Sequence, residues 1–249
     1  MNNIFQDIFT VFWRDWIVLK RRLTKFIFSR MVAPLLYLTA FGWGLGRSVQ
    51  FASGNYLDFI VPGIMALNSM NLGFHSIISV HAERIYHKSL EEYFLSPISP
   101  KSFLIGKILG AVLKSLISSA IIILIAEIFG AKIFLSIELF FVLILNSIIF
   151  AEVGFFAAMK LASYEEMAQV NTYILLPMSF LCGTFFSTST LPAVVKFFVE
   201  ILPLTHASQL LRNLTSGGEI LIESLIILFL YAGAGFFFSL RALKNCQED

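Results

Sequence analysis

Residues 103–129, FLIGKILGAVLKSLISSAIIILIAEIF, form an apolar run interrupted by only three charged side chains. A helix of about 20 apolar residues is long enough to cross the hydrocarbon core of a bilayer. The whole chain shares this character, since 57% of its 249 residues are hydrophobic and only 14% are charged. Soluble domains carry about 25% charged residues, so the composition excludes an ordinary soluble domain and predicts an integral membrane protein.

Further apolar runs on both sides of this one predict an all-α integral membrane protein with six transmembrane helices. Lys and Arg in the connecting segments predict its orientation, because these residues are enriched on the cytoplasmic side. With a cytoplasmic N-terminus, that side has twelve of them and the opposite side four, so both termini are predicted to be cytoplasmic. The six runs are Phe26–Gly46, Leu57–Val80, Phe103–Phe129, Phe134–Met159, Gln169–Phe186 and Ile220–Leu240.

Residues 1–25 differ from the spans because their apolar side chains recur at helical spacing, while Asp7, Thr10 and Arg14 occupy the other face. The basic cluster Lys20-Arg21-Arg22 follows. This pattern predicts an amphipathic helix in the cytoplasmic interface, with its tryptophans at headgroup depth and its cations facing anionic lipid. A soluble amphipathic helix is the alternative. The apolar residues are Ile4, Phe5, Ile8, Phe9, Phe12, Trp13 and Trp16.

The loop at residues 81–100 is rich in charge although both of its flanks are apolar. Treated as a helix over residues 83–95, it places Tyr86, Leu90, Tyr93 and Phe94 on one side and its charged residues on the rest. Pro97 and Pro100 are predicted to end this helix before the next span. Its mixed-sign charges argue against simple binding to anionic lipid and favour docking of a soluble partner.

A second irregular segment covers residues 187–219, on the predicted outer side. Within it, Leu191–Leu204 is apolar but too short to cross a membrane, carries Lys196 and Glu200, and contains two prolines. Short broken segments are tolerated at membrane depth where protein buries them or where they line a cavity. The segment is therefore predicted to be a re-entrant or interfacial helix, with a plain surface helix as the alternative.

The ionisable residues inside predicted spans include Lys107, Lys114 and Glu152. Such groups cost roughly 2.5–3.5 kcal/mol each on insertion scales and usually face the protein interior. Estimated depths along the helices allow Glu152 to pair with either lysine. The pair is interpreted as structural, holding two spans together, or as part of a translocation path.

No motif for nucleotide binding, metal binding or catalysis is recognisable. Gly106-Lys107-Ile108 lacks the first glycine and the Ser or Thr of a phosphate-binding loop. The spacing of His75, His81 and His87 places them on different helix faces, which disfavours a metal site. The chain is therefore predicted not to be an enzyme, and its net charge of +2 gives no indication of nucleic-acid binding.

Three blocks, in this order, carry a family resemblance. YLDFIVPGIMAL at 56–67 opens the second span, ERIYHKSLEEYFLSPIS at 83–99 runs into LIGKIL, and LCGTFFSTSTLPAVVKFFVEILPLTHASQLLR occupies 181–212. Together they resemble the permease subunit of type-2 ATP-binding-cassette exporters, a group that includes drug, polysaccharide and nodulation-factor exporters. The resemblance spans nearly the whole chain as one permease domain, 1–249. Its most specific positions are Gly183, Pro192, Pro203 and Arg212.

The resemblance implies a bacterial inner-membrane protein that exports a hydrophobic, lipid-linked or glycan substrate. Two copies, or one copy and a related permease, would enclose the path within the lipid. A separate ATPase subunit would bind ATP and Mg²⁺, so no cofactor is expected on this chain. That ATPase would contact the loop as a coupling helix, anchored by Tyr93 and Phe94, while the four positions named above would help to form an outer gate. The implied contact residues are Glu83, Arg84, His87, Lys88, Glu91 and Glu92.

Three other classes remain open from the sequence. An ion-coupled secondary transporter is expected to show inverted repeats with broken helices at corresponding positions. Only one irregular segment is visible, late in the chain. An intramembrane enzyme needs a catalytic constellation, and none is visible in the sequence. A structural or membrane-assembly protein would bind no ATPase.

Overall fold

The computed structural model describes residues 4–45, 56–188 and 191–248, and all of its regular elements there are helical. Two π-helical segments, Leu38–Leu45 and Asn171–Leu175, continue directly from α-helices. The α-helices are α1 (Ile4–Arg21), α2 (Leu23–Tyr37), α3 (Tyr56–Ser76), α4 (Ile78–Ile85), α5 (Ser89–Leu95), α6 (Pro100–Ile128), α7 (Ile137–Lys160), α8 (Tyr164–Val170), α9 (Leu176–Leu181), α10 (Ala193–Ile201), α11 (Pro203–Thr215) and α12 (Ile222–Glu248).

Four helical stretches in the described ranges are long and apolar enough to cross a membrane. They coincide with the predicted second, third, fourth and sixth spans. The pair α10 and α11 is bent by 89° and would bring the number to five if it formed one broken span. The prediction of six spans is therefore not confirmed. The four stretches are Tyr56–Ile85, Pro100–Ile128, Ile137–Lys160 and Ile222–Gln247.

The predicted first and fifth spans are helical but are not single α-helices. In the first, α2 carries Pro34 in its interior and changes to a π-helix at Leu38, while Gly46 lies outside the described residues. In the fifth, the π-helical segment separates α8 from the short α9. Such segments close their hydrogen bonds over five residues instead of four, and apolar periodicity gives no signal for that change.

Close packing of α3 on α7 forms the centre of the bundle. A Cβ at Gly154 would lie 2.8 Å from the Phe74 carbonyl oxygen, so only glycine permits this approach. Asn146 of α7 donates from its amide to the Ser69 hydroxyl at 2.6 Å and to the Ala66 carbonyl oxygen at 3.1 Å. Both features are typical of helix contacts in membranes, where small residues and polar side chains replace the hydrophobic driving force.

Hydrogen bonds between elements define two ends of the bundle. At one end, Arg84 of α4 reaches the last turn of α7, where its Nη2 donates to the Leu161 carbonyl oxygen at 2.6 Å. We call this the loop end, because it carries residues 85–99. At the other, far end, the Lys132 amide donates to the Asp58 carboxylate at 2.7 Å and the Phe134 amide donates to the Thr215 carbonyl oxygen at 2.9 Å.

Helix α1 crosses α6 near two of its glycines. A Cβ at Gly106 would lie 2.7 Å from Val11, and one at Gly110 would lie 3.1 Å from Asp15. The aromatic side chains of Phe5 and Trp13 are exposed, which leaves them free for contact with lipid. Residues 1–3 of the predicted amphipathic segment lie outside the described residues.

Candidate coupling site

The charged loop consists of two helices, so the prediction of one helix over residues 83–95 is wrong. Helix α4 ends at Ile85 and α5 begins at Ser89. Between them Lys88 adopts a left-handed backbone conformation with φ of 53°, which no helix can continue through. As predicted, α5 ends before Pro97, at Leu95.

Four of the six predicted contact residues, His87, Lys88, Glu91 and Glu92, are exposed. We call these four residues the coupling surface. They lie on the turn after α4 and on the first turn of α5, and Leu95 at the end of α5 is 88% exposed. The side chain of Phe94, predicted as an anchor, lies outside the described part of the structure.

Glu83 and Arg84, the other two predicted contacts, are turned inward. Glu83 is 7% exposed, and its Oε1 accepts hydrogen bonds from Lys107 Nζ and Arg14 Nη1, each at 3.1 Å. The guanidinium of Arg84 donates to the Met159 and Leu161 carbonyl oxygens. Their predicted exposure to a partner is therefore corrected: both side chains hold the loop to the bundle.

Tyr93 forms a further attachment between α5 and the bundle, as predicted. Its ring lies 4.8 Å from the ring of Phe103 on α6, and the Arg14 guanidinium donates to its hydroxyl. Burial alone would lower the pKa of Arg14, but the charge of Glu83 and the contact with Tyr93 raise it above its ordinary value. Arg14 is thus held in its charged form at the contact between α1, α4 and α5.

Lys107 is the centre of the charged network. Its side chain is 1% exposed, and Nζ lies 3.1 Å from Glu83 Oε1 and 3.3 Å from Asp15 Oδ1. The network therefore joins α6 to α4 and to α1. Asp15 was not predicted as a partner, although a lysine on an apolar helix requires a counter-charge and so indicates that one exists.

Glu152 pairs with neither lysine, which corrects the predicted ion pair. Its carboxylate turns toward α12, where a Cβ at Gly235 would lie 2.5 Å from Oε2. Oε2 is buried and has no hydrogen-bond partner among the described residues. Ser239 of α12 donates to the Glu152 carbonyl oxygen at 2.9 Å. Glu152 thus lies at the contact between α7 and α12.

Two of the predicted outer-gate residues are in direct contact. Gly183 has φ of +80°, a conformation that favours glycine, and its carbonyl oxygen accepts from Arg212 Nη2 at 2.5 Å. The Arg212 guanidinium also lies 3.8 Å from the ring centre of Phe59. Pro192 and Pro203 precede α10 and begin α11, so they bound the helices of the bent pair. Residues 189–190 of the predicted segment 187–219 lie outside the described residues.

The described helices thus form a bundle of long apolar helices with a charged loop held at one end. The chain matches the family model of the ABC-2 type transporter over residues 6–215 and belongs to that family. The sequence resemblance is thereby confirmed.

The relatives of the chain cover most of its length. Nodulation protein J of Rhizobium meliloti (strain 1021) is 26% identical over 240 residues, which cover 94% of this chain and 92% of the relative. Nodulation protein J of Bradyrhizobium diazoefficiens is 24% identical, with 95% and 92% covered. The inner membrane transport permease YadH of Escherichia coli (strain K12) is 21% identical, with 77% and 80% covered.

Proposed function

We propose that this chain is the transmembrane subunit of an ATP-driven exporter that moves a hydrophobic, lipid-linked or glycan substrate out of the cytoplasm. Membership of the ABC-2 type transporter family implies an ATP-binding-cassette ATPase as partner. ATP and Mg²⁺ would be bound there. The observation that carries the proposal is the coupling surface, four exposed polar side chains on a loop that is tied rigidly to three helices of the bundle.

The coupling surface suits a docking site because the residues that attach the loop to the bundle are different from the exposed residues that would contact a partner. Glu83, Arg84 and Tyr93 hold the loop, so movement of a bound partner would be passed to α1, α6 and α7. Packed interfaces with two discrete arrangements can amplify such movement across a membrane domain. A loop without these attachments would absorb the movement itself.

The arrangement of the complex is part of the proposal. Two permease chains, identical or related, would enclose the path within the lipid of a bacterial inner membrane. The helical segments at Leu23–Leu45 and Tyr164–Leu181 would serve as the first and fifth of six spans. Both termini would be cytoplasmic, as the distribution of Lys and Arg favours. The contact of Gly183 with Arg212 would help to close the outer end.

Affinity purification from native membranes in mild detergent tests the proposal. An ATPase should co-purify in about equal amount, and charge reversal of the coupling surface with Glu91→Lys/Glu92→Lys should remove it. Like-charge contacts cost several kcal/mol and 1.4 kcal/mol corresponds to tenfold, so we expect a loss of at least about tenfold. Glu219→Lys/Glu223→Lys is the matched control, since both of those carboxylates are exposed and lie outside the loop.

Two results would contradict the proposal. An equal loss of ATPase in both double variants would show that charge reversal acts through folding, which gel filtration of each variant would reveal. Purification without any nucleotide-binding chain under several gentle conditions would favour an ion-coupled transporter or a structural membrane protein.

A further inference from the structure

A cavity of about 560 Å³ lies where α1 and α2 meet α4 and α6. Its lining is partly apolar, from Val18, Leu19 and Phe26, and the hydroxyl-bearing residues Ser29 and Ser79 also line it. Its charged lining consists of Arg14, Asp15, Arg22, Lys25, Glu83 and Lys114. It thus combines four cationic side chains with two carboxylates and an apolar wall.

The two carboxylates are already neutralised from within the protein. Asp15 is paired with Lys107, and Glu83 is paired with both Lys107 and Arg14. Lys107 itself is not part of the cavity wall. The positive charge that faces the cavity therefore comes mainly from the remaining cations, Arg22, Lys25 and Lys114.

Lys114 is the residue that points most clearly to a ligand. It lies ~21 Å along α6 from Pro100, in the middle of a helix whose composition fits a membrane span. It has no hydrogen bond or ion pair with any residue that the structure describes. A cation inside a membrane protein is normally paired, because the unpaired charge is costly. An anion in this cavity would supply the missing partner.

We propose that this cavity binds the phosphate group of an anionic lipid. Lys114, Arg22 and Lys25 would neutralise the phosphate, the Ser29 and Ser79 hydroxyls would donate hydrogen bonds, and the acyl chains would lie along Val18, Leu19 and Phe26. A lipid suits the site better than a soluble anion, because apolar side chains line the cavity together with the cations and α1 exposes aromatic side chains. The proposal does not depend on the export function.

Native mass spectrometry of the purified chain tests the site. The protein is reconstituted in nanodiscs of phosphatidylcholine with phosphatidylglycerol, released into mild detergent, and the phosphatidylglycerol bound per chain is measured. Lys114→Gln should lower this occupancy about fivefold, the equivalent of ~1 kcal/mol for one cation near a lipid headgroup. Lys114→Arg should retain it. Lys101→Gln is the matched control, since Lys101 is exposed on the same helix and lies outside the cavity.

Thermal unfolding in nanodiscs separates a lipid from a free anion. Phosphatidylglycerol should raise the unfolding midpoint of the unsubstituted chain, whereas inorganic phosphate added to nanodiscs of phosphatidylcholine alone should not. An equal rise with inorganic phosphate would overturn the assignment to a lipid. An equal fall in occupancy with Lys101→Gln would overturn the proposal, because it would indicate general attraction to the cationic surface. Retention of the bound lipid in a folded Lys114→Gln/Arg22→Gln variant would overturn it as well.

Discussion

Lys107 connects three segments that are far apart in the chain, since its ammonium meets Asp15 from α1 and Glu83 from α4. That a lysine in a span needs a buried partner follows from the sequence, but the identity of the partner does not. Its depth along α6 made Glu152 an equally acceptable choice. In the structure, the rotation of α7 about its axis turns Glu152 toward Gly235 and away from Lys107. Apolar periodicity in a mostly buried helix gives little information about that rotation.

Substitution of Lys107 should destabilise the protein strongly. Removing one partner of a buried pair leaves uncompensated charge and costs about 3–5 kcal/mol, so Lys107→Met should lower the midpoint of thermal unfolding in detergent clearly. Glu83→Gln/Lys107→Met should cost less than the sum of the single substitutions, since the two side chains are in contact. Lys101→Met is the control. Additive effects would show that Glu83 and Lys107 do not interact.

At the scale of elements, long apolar helices were predictable and irregular ones were not. Four candidate spans are recognisable in the sequence because each contains an extended apolar run. The break between α4 and α5 carries no proline or glycine, and depends on the left-handed backbone of Lys88. Glu83, Arg84 and Tyr93 lie on both sides of that break. Their partners are on α1 and α6 and at the end of α7, and local propensity carries no information about such distant contacts.

Two glycines on different helices should respond oppositely to the same substitution. Gly154→Ala places a Cβ 2.8 Å from the Phe74 carbonyl oxygen, and overpacking of this kind costs about 1–3 kcal/mol. A Cβ at Gly233 on α12 meets nothing within 4 Å, so Gly233→Ala should be neutral or stabilise the helix by up to about 1 kcal/mol. Thermal unfolding in one detergent compares them. Equal midpoints of thermal unfolding for the two variants would contradict the close packing of α3 on α7.

For the molecule as a whole, the hydrogen bonds between elements identify two ends independently of how Lys and Arg are distributed along the chain. Arg84 with Leu161 marks the loop end, while Lys132 with Asp58 and Phe134 with Thr215 mark the far end. The sequence predicts the same division from the positions of Lys and Arg. The hydrogen bonds therefore show which residues lie at the same end, and the positions of Lys and Arg predict which end is cytoplasmic.

Cysteine labelling in intact cells tests that orientation. In a Cys182→Ala/Cys246→Ala background, a membrane-impermeant maleimide should label Ser216→Cys at the far end, because Ser216 is exposed there beside Thr215. In the same background, Glu92→Cys at the loop end should be labelled only after permeabilisation. The native Cys246 near the C-terminus, tested with Cys182→Ala alone, should behave like Glu92→Cys. The three sites report on the loop, the far end and the last helix independently. Labelling of Glu92→Cys in intact cells would show that the loop end faces outward and that the predicted orientation is wrong. The coupling surface would then be out of reach of a cytoplasmic ATPase.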